Sequence, residues 1–383
     1  MKLRLAMIGG GQGAFIGAIH RIATRIDDHY ELVAGAFSSN PEKAKASGEE
    51  LGLSPDRVYG SYKELIEKES QLPENVRVQV ISIVTPNHVH FEPTKLALES
   101  GFHVVLDKPM TFSLEEAKEL KKIVESTGKL FCLTHTYTGY PMVKEARQII
   151  ASGKIGAVRK VYVEYPQGWL STFLEGEDNK QASWRTDPGK SGIAGAMGDI
   201  GTHAFNLSEY VTGLQVTKLN ADINIVVEGR KLDDDGAVLL KYNNGASGVL
   251  MATQIAAGDE NNIKIRVYGE KGGIEWQQDI ANTLLIKYLD KPTEIWRTGG
   301  GYTSGYVTTN MRAPAGHPEG YLEAFANLYK NFALTVKAQL EGAAATPEML
   351  DFPGVEDGVR GMAFVENVIA SGKSDQKWTD FTI

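Results

Sequence analysis

The chain has 383 residues, of which 42% are hydrophobic and 23% charged, and its formal net charge is −8. At roughly 100–200 residues per domain the length fits two domains, and the composition is that of a globular protein with a sizeable core rather than a disordered one. The acidic balance repels phosphate backbones, so no nucleic-acid partner is expected; no apolar run approaches the roughly 18 residues of a membrane span, so no membrane is expected either.

Cys132 is the only cysteine and sits in the apolar run Leu130-Phe131-Cys132-Leu133, the pattern of a buried structural thiol. It has no partner for a disulfide and no neighbours for a cysteine-rich metal site. Nothing resembling a charged-then-apolar leader precedes the first strand pattern, so the expected compartment is the cytoplasm.

In chain order, residues 3–8 read as a buried strand, followed by a glycine-rich turn and apolar residues at helical spacing over 15–26. A strand over 31–37, a helix over 41–51, a β-branched strand over 78–84 and a helix over 92–99 follow. A strand over 103–106 leads to Ser113, which with Glu116 forms a capping box for a helix over 114–126, and 130–134 is again strand-like. Strand–helix–strand alternation with short links predicts a doubly wound parallel sheet over 1–136, an α/β domain.

After about Thr136 the pattern changes. Residues 158–165, 219–227, 237–242, 248–253, 263–268 and 284–288 read as strands, several joined by hairpin turns of which Asn243-Asn244-Gly245 is the clearest. Helices are expected over 197–212, 319–339 and 355–370, and an aperiodic surface loop over 299–317. Antiparallel runs with segregated helices describe an α+β domain over 137–383.

The turn after Ile8 reads Gly9-Gly10-Gly11-Gln12-Gly13-Ala14, which matches the dinucleotide fingerprint G-x-G-x-x-G/A at Gly9, Gly11 and Ala14. The first glycine permits the tight turn, the second lets backbone approach a pyrophosphate, and the small third residue lets helix and strand pack closely. Amides at the start of the helix, around Phe15 and Ile16, then face phosphate. The acidic residue that binds the ribose 2′-hydroxyl of NAD is missing; the second strand ends in Ser38-Ser39-Asn40, with Lys43 one turn on, and these residues leave NAD and NADP nearly tied. Thr85, Asn87 and His90 follow the third strand, where open parallel sheets place ligands.

Three further motifs stand in order: Thr85-Pro86-Asn87-His88-Val89-His90, Asp107-Lys108-Pro109 and Gly198-Asp199-Ile200-Gly201-Thr202-His203. With the glycine turn, they make the chain resemble the Gfo/Idh/MocA family of oxidoreductases over nearly its whole length. That family commonly has Glu-Lys-Pro where Asp107-Lys108-Pro109 stands. The stretch from Gln181 through Trp184 and Arg185 to Pro188, with Phe15-Ile16-Gly17, is similar to levoglucosan dehydrogenases and glycoside 3-dehydrogenases, whose use of NAD breaks the tie. The resemblance implies a Rossmann domain followed by a domain whose large open sheet forms an oligomer interface, as a dimer or tetramer. It implies that the helix over 355–370 packs back near the first domain. It also implies that Asp107 belongs to the cofactor site, that Lys108 and His203 lie beside the nicotinamide and that Asp199 is close to the substrate.

Oxidising an alcohol needs a base for the hydroxyl proton, and histidine suits it with an ordinary pKa of about 6.5. Asp199 and His203 are spaced to share one helix face. His203 is assigned as general base in oxidation, Asp199 as its orienter or a hydroxyl ligand, and Lys108 as donor to the reacting oxygen. Asp199 and His203 have no recognisable third ligand, so no metal is expected. Tyr137, Gln167, Trp169 and Arg185 join these as candidate sugar ligands, and Trp184 with Arg185 as candidate cofactor contacts; His20 is read as structural. The expected function is hydride transfer between NAD(P) and a ring hydroxyl carbon of a pyranoside or anhydrosugar, at C3. Redox-assisted glycoside cleavage and inositol dehydrogenation are the alternatives. A non-enzymatic sensor is disfavoured because Lys108 and His203 occur together.

Overall fold

The computed structural model describes residues 1–177 and 179–383. The first stretch alternates β1 (Leu3–Gly9), α1 (Phe15–Ile26), β2 (Tyr30–Ala36), α2 (Pro41–Glu50), α3 (Tyr62–Gln71), β3 (Val80–Val84), α4 (Phe91–Glu99), β4 (His103–Leu106), α5 (Leu114–Thr127) and β5 (Phe131–Leu133). Next come α6 (Pro141–Ala151), β6 (Val158–Pro166), α7 (Lys180–Arg185), α8 (Pro188–Ser191), a π turn (Met197–Gly201) and α9 (Thr202–Thr212). Strands β7 (Val216–Asn224), β8 (Asp235–Tyr242), β9 (Ser247–Thr253), β10 (Lys264–Gly269), β11 (Gly272–Gln277), β12 (Thr283–Tyr288) and β13 (Glu294–Arg297) follow. The chain ends with α10 (Gly305–Thr308), α11 (Tyr321–Leu340), α12 (Val355–Gly372) and β14 (Thr379–Asp380).

The chain divides into two compact units, one of residues 1–139 with 321–359, the other of residues 140–320 with 360–383. In the first, five strands run in the order β2-β1-β3-β4-β5, and every pairing is parallel, as the alternating pattern predicts. Its core joins Leu3, Leu5, Val80, Val105 and Cys132 of the strands to Phe325, Leu328, Tyr329, Phe332 and Val336 of α11. Cys132 is fully buried there.

The second unit is built on a nine-stranded sheet in the order β13-β12-β11-β10-β6-β9-β8-β7-β14. Its pairs are antiparallel except β6–β9, which is parallel. The alternating patterns are plain: in β6 Val161, Val163 and Tyr165 are buried while Arg159 is exposed. Among the described residues α3, α6, α7, α8, β11, β13 and β14 lack counterparts in the sequence reading. For α3 the signal existed in the Ser61-x-x-Glu64 spacing: Ser61 caps the helix by accepting from the Glu64 N–H, and Glu64 accepts from the N–H of Gly60 just before the cap. For β11 it did not, because Gly272 and Gly273 interrupt any alternation. The expected helix over 197–212 is a π turn followed by α9, and the expected loop over 299–317 contains the one-turn α10.

Two of the buried histidines of the first unit have strongly lowered pKa values. His103 accepts from the Leu130 N–H through Nδ1 at 3.1 Å, and burial, with help from Lys129, pushes its pKa down to about 4. Burial and then Lys108 push His135 down to about 3. Below the ordinary imidazole pKa the unfolded chain takes up protons that these folded rings refuse, so stability falls with pH from about 6.5 towards 4, at about 1.4 kcal/mol per pH unit for each ring. Denaturant unfolding between pH 7 and pH 4.5 is expected to show this slope. His103→Asn, which keeps an acceptor near Nδ1 but cannot titrate, is expected to flatten it.

Candidate active site

The glycine turn leaves β1 with Gly9 and Gly10 at φ of 83° and 70°, a region that residues with a Cβ avoid. A Cβ on Gly17 would stand 2.4 Å from the Gly10 Cα, so the closest helix-to-turn contact falls at Gly17. The fingerprint reading gave that packing role to Ala14, which instead is the residue preceding the first turn of α1. Gly11 also differs from its expected role. Its N–H donates to the Phe37 carbonyl at 3.2 Å, and a Cβ there would meet that oxygen and Ser47 Oγ at 2.8 Å. Gly11 therefore seats the turn on the β2–α2 connection. Gly13, at φ of 75°, has open space in front of it.

Gln12 is held from the same side, its N–H donating to Ser47 Oγ at 3.1 Å and its side-chain amide to Glu50 at 2.9 Å. No side chain caps α1, and Phe15 is exposed and Ile16 half-buried in its first turn. Amides left uncapped at a helix N-terminus, with a bare Gly13 beside them, fit the diphosphate of a dinucleotide.

Registers of Gly9 against Val84 and of Ile83 against Leu106 align the carboxyl ends of β1, β3 and β4. The glycine turn, Thr85 and Asp107 consequently share one sheet edge. At the neighbouring end of β2, Ser38 Oγ accepts from the Asn40 N–H at 3.1 Å, Ser39 is exposed, and Asn40 caps α2 through the Lys43 N–H. Thr85 Oγ1 donates to the Val89 carbonyl at 3.1 Å, and Asn87 is buried. His90 is fully buried, with Nδ1 2.7 Å from the Pro109 carbonyl and Nε2 2.8 Å from the Thr85 carbonyl, and burial lowers its pKa, so the neutral ring donates to one of the two.

Asp107 Oδ1 accepts from Thr134 Oγ1 at 2.9 Å. Burial opposes its charge, but the His20 imidazole and the Lys108 ammonium outweigh burial and hold the carboxyl at about 2. The same ammonium also disfavours protonation of His135, after burial. Tyr137 is buried in the turn after β5. Tyr321, at the start of α11, lies close enough to Asp107 to feel its charge, and burial foremost pushes its hydroxyl up to about 12.

In the second unit a buried carboxylate organises the other candidates. Asp233 accepts from the Gly195 N–H at 2.6 Å and the Met197 N–H at 2.7 Å, capping the π turn that carries Asp199. Burial holds Asp233 above the usual carboxylate range despite those bonds. Asp199 Oδ2 accepts from Gln254 Nε2 at 2.9 Å and lies 3.4 Å from Arg185 Nε. The Arg185 guanidinium stacks over Trp184 at 4.3 Å and stands 5.9 Å from the centre of the Trp169 ring. Gln167 accepts from Trp169 Nε1 at 3.0 Å and from Gln254 at 3.4 Å, and donates to Asn261, which also accepts from Tyr165 at 2.6 Å. His203 opens α9, is nearly buried, and its ring centre is 6.4 Å from that of Tyr165.

Asp199, Arg185, Gln167 and Trp169 are thus brought into one network. Sequence reasoning missed Gln254, Asn261 and Tyr165 within it. Their one usable signal was position: Tyr165 lies near the end of β6, and Gln254 immediately follows β9.

Likeness to known proteins decides the family. Residues 3–135 match the model described as oxidoreductase family, NAD-binding Rossmann fold, and residues 143–275 match the GFO/IDH/MocA C-terminal domain. The chain belongs to the Gfo/Idh/MocA family of oxidoreductases. An oxidoreductase from Sinorhizobium meliloti is 46% identical over 99% of both chains, with a TM-score of 0.89. An inositol dehydrogenase homologue from Azotobacter vinelandii, solved with NAD+ and also with NADH and myo-inositol, is 35% and 34% identical in the two structures. Each covers all of this chain and 98% of that one, with TM-scores of 0.94 and 0.91. Levoglucosan dehydrogenase from Pseudarthrobacter phenanthrenivorans is 24% identical over 99% of this chain and 98% of that protein. This Gfo/Idh/MocA oxidoreductase therefore carries an NAD-binding Rossmann domain, as its fingerprint implies.

The Gly10–Gly17 contact is directly testable. Gly17→Ala must push α1 away from the turn, since the atoms its Cβ would meet all belong to the Gly10 backbone. NAD affinity measured by calorimetry is expected to drop at least about tenfold, the equivalent of ~1.4 kcal/mol. An unchanged affinity would show that the turn does not need this close approach.

Proposed function

We propose that this enzyme oxidises a ring hydroxyl of a six-membered cyclic polyol with NAD, taking a pyranoside or anhydrosugar at C3. The network around Asp199 carries the reading. It combines a fixed carboxylate, a guanidinium and two amides with the indoles of Trp169 and Trp184, the polar edge and apolar face that a sugar ring offers. In this reading Asp199, Arg185, Gln167, Trp169 and Tyr137 hold the substrate. His203 takes the hydroxyl proton, and Lys108 donates to the reacting oxygen as negative charge develops there. Bound NAD supplies the hydride acceptor. Gly9, Gly11, Gln12, Ala14, Phe15, Ile16, Ser38, Ser39, Thr85, Asn87 and Asp107 form its binding edge, with Trp184 and Arg185 as further candidate contacts.

A second reading, an inositol as substrate, is favoured by the Azotobacter homologue, whose structure holds NADH and myo-inositol. Glucosides, levoglucosan and inositols assayed with NAD and with NADP separate the readings through reduced-cofactor absorbance. Sugar release without net reduced cofactor would instead indicate glycoside cleavage. Lys108→Met is expected to bind NAD normally and to lose about 10²–10³ in kcat, the cost of removing a donor to a developing oxyanion. Full turnover by that variant would remove Lys108 from the chemistry.

The exposed face of the nine-stranded sheet, where Leu239 is 45% exposed, is our candidate surface for a second copy in a dimer or tetramer. Leu239→Glu is expected to shift light-scattering mass towards the monomer with thermal stability retained.

A further inference from the structure

His20 has no part in the scheme above, yet it is wholly buried on α1 and aims a nitrogen at the residue before Lys108. Its Nδ1 lies 2.6 Å from the Tyr329 hydroxyl and 3.4 Å from Ser82 Oγ, and Ser82 and Tyr329 are themselves 2.8 Å apart. Phe325 and Tyr329 pack edge-on against the ring at 4.7 and 5.7 Å, and the ring is wholly buried. Nε2 has no hydrogen-bond partner and stands 3.7 Å from Asp107 Oδ1.

The tautomer follows from these neighbours. With Nδ1 accepting from a hydroxyl, the proton sits on Nε2 and points towards the carboxylate; the opposite tautomer would set a bare nitrogen lone pair against an anion. A buried donor without a partner is costly, and the facing Asp107 charge 3.7 Å away offsets that cost.

We propose that His20 is a positioning residue for Lys108: oriented by Tyr329, its Nε2 N–H holds the Asp107 carboxylate, and Asp107 fixes the adjoining peptide from which Lys108 extends. The inference rests on the role given above to Lys108. The other groups acting on Asp107 are Thr134, which donates to it, and the charges of Lys108 and His90, while Tyr321 and His135 feel its charge. Of these, His20 alone belongs to the helix that begins at the glycine turn, so the same helix serves the cofactor turn at one end and the lysine strand end at its middle.

Two substitutions of similar size separate positioning from packing. His20→Gln restores an N–H near the Nε2 position, whereas His20→Asn restores one only near Nδ1. With NAD and whichever of levoglucosan or myo-inositol the substrate panel shows to be oxidised, the Gln variant is expected to keep kcat within about threefold, while the Asn variant and Tyr329→Phe lose about 10- to 100-fold, with KM for NAD unchanged. Equal activities of the Gln and Asn variants at matched thermal midpoints overturn the inference while leaving the Lys108 reading intact; full turnover by Lys108→Met overturns both. A substrate-free measurement stands beside these. In spectra of protein labelled with ¹⁵N-histidine, the resonance lost in His20→Gln is expected to carry its proton on Nε2 and to shift in Asp107→Asn. A proton on Nδ1 alone would end the proposal.

Discussion

The contact that the first unit depends on is the approach of Gly17 to Gly10, backbone against backbone. It fixes how closely α1 lies on β1, and two consequences follow from that one distance. The uncapped first turn of α1 stands over the glycine turn, where amides and helix dipole favour an anion. One helical turn further on, His20 reaches the strand end that carries Asp107 and Lys108. A larger residue at either glycine would displace α1 from the turn and the buried imidazole with it.

The second unit solves a related problem with a carboxylate. Asp233 takes up the amides of Gly195 and Met197, and its own carbonyl stands where a Cβ on Gly195 would lie, only 2.1 Å away. The loop is therefore pinned at both the side chain and the backbone of one residue. The π turn that follows inserts an extra residue before α9, an irregularity that costs hydrogen-bond geometry and tends to occur where side chains are aimed for function. Here it presents Asp199 to Gln254 and Arg185.

The strands and helices of the first unit were legible because each carries a local signal: a β-branched run, an apolar stripe, or a cap such as Ser113 with Glu116. The glycine fingerprint was legible as a motif, but its internal division of labour was not. Whether Gly11 or Gly13 faces open space depends on where Phe37 and Ser47 come to lie, and no spacing rule contains that. His90 reads as a ligand because it follows a strand's carboxyl end, while the two carbonyls facing its ring, those of Thr85 and Pro109, become visible only in three dimensions. Gln254 and Asn261 were invisible for the converse reason, since amides carry no motif until a network assembles around them. The place of α11 in the first core is likewise a long-range fact: Tyr329 meets His20 and Tyr30 across some 300 residues of chain.

The charges of Asp107 and His135, both of which the Lys108 cation acts on, are set rather than switchable. Asp107 stays ionised down to about pH 2 and His135 stays neutral down to about pH 3, so neither changes charge under ordinary conditions. In the proposed reaction it is the Lys108 cation, held among neighbours whose charge does not change, that would stabilise a developing oxyanion without reorganisation. Aspartate rather than glutamate beside Lys108 is consistent with that design. With one methylene fewer, the carboxylate stays near its own strand end, where Thr134 already bonds it and the His20 nitrogen faces it. The shorter acid thus trades reach for immobility, and immobility is the property that a lysine on the next residue would need from its neighbour.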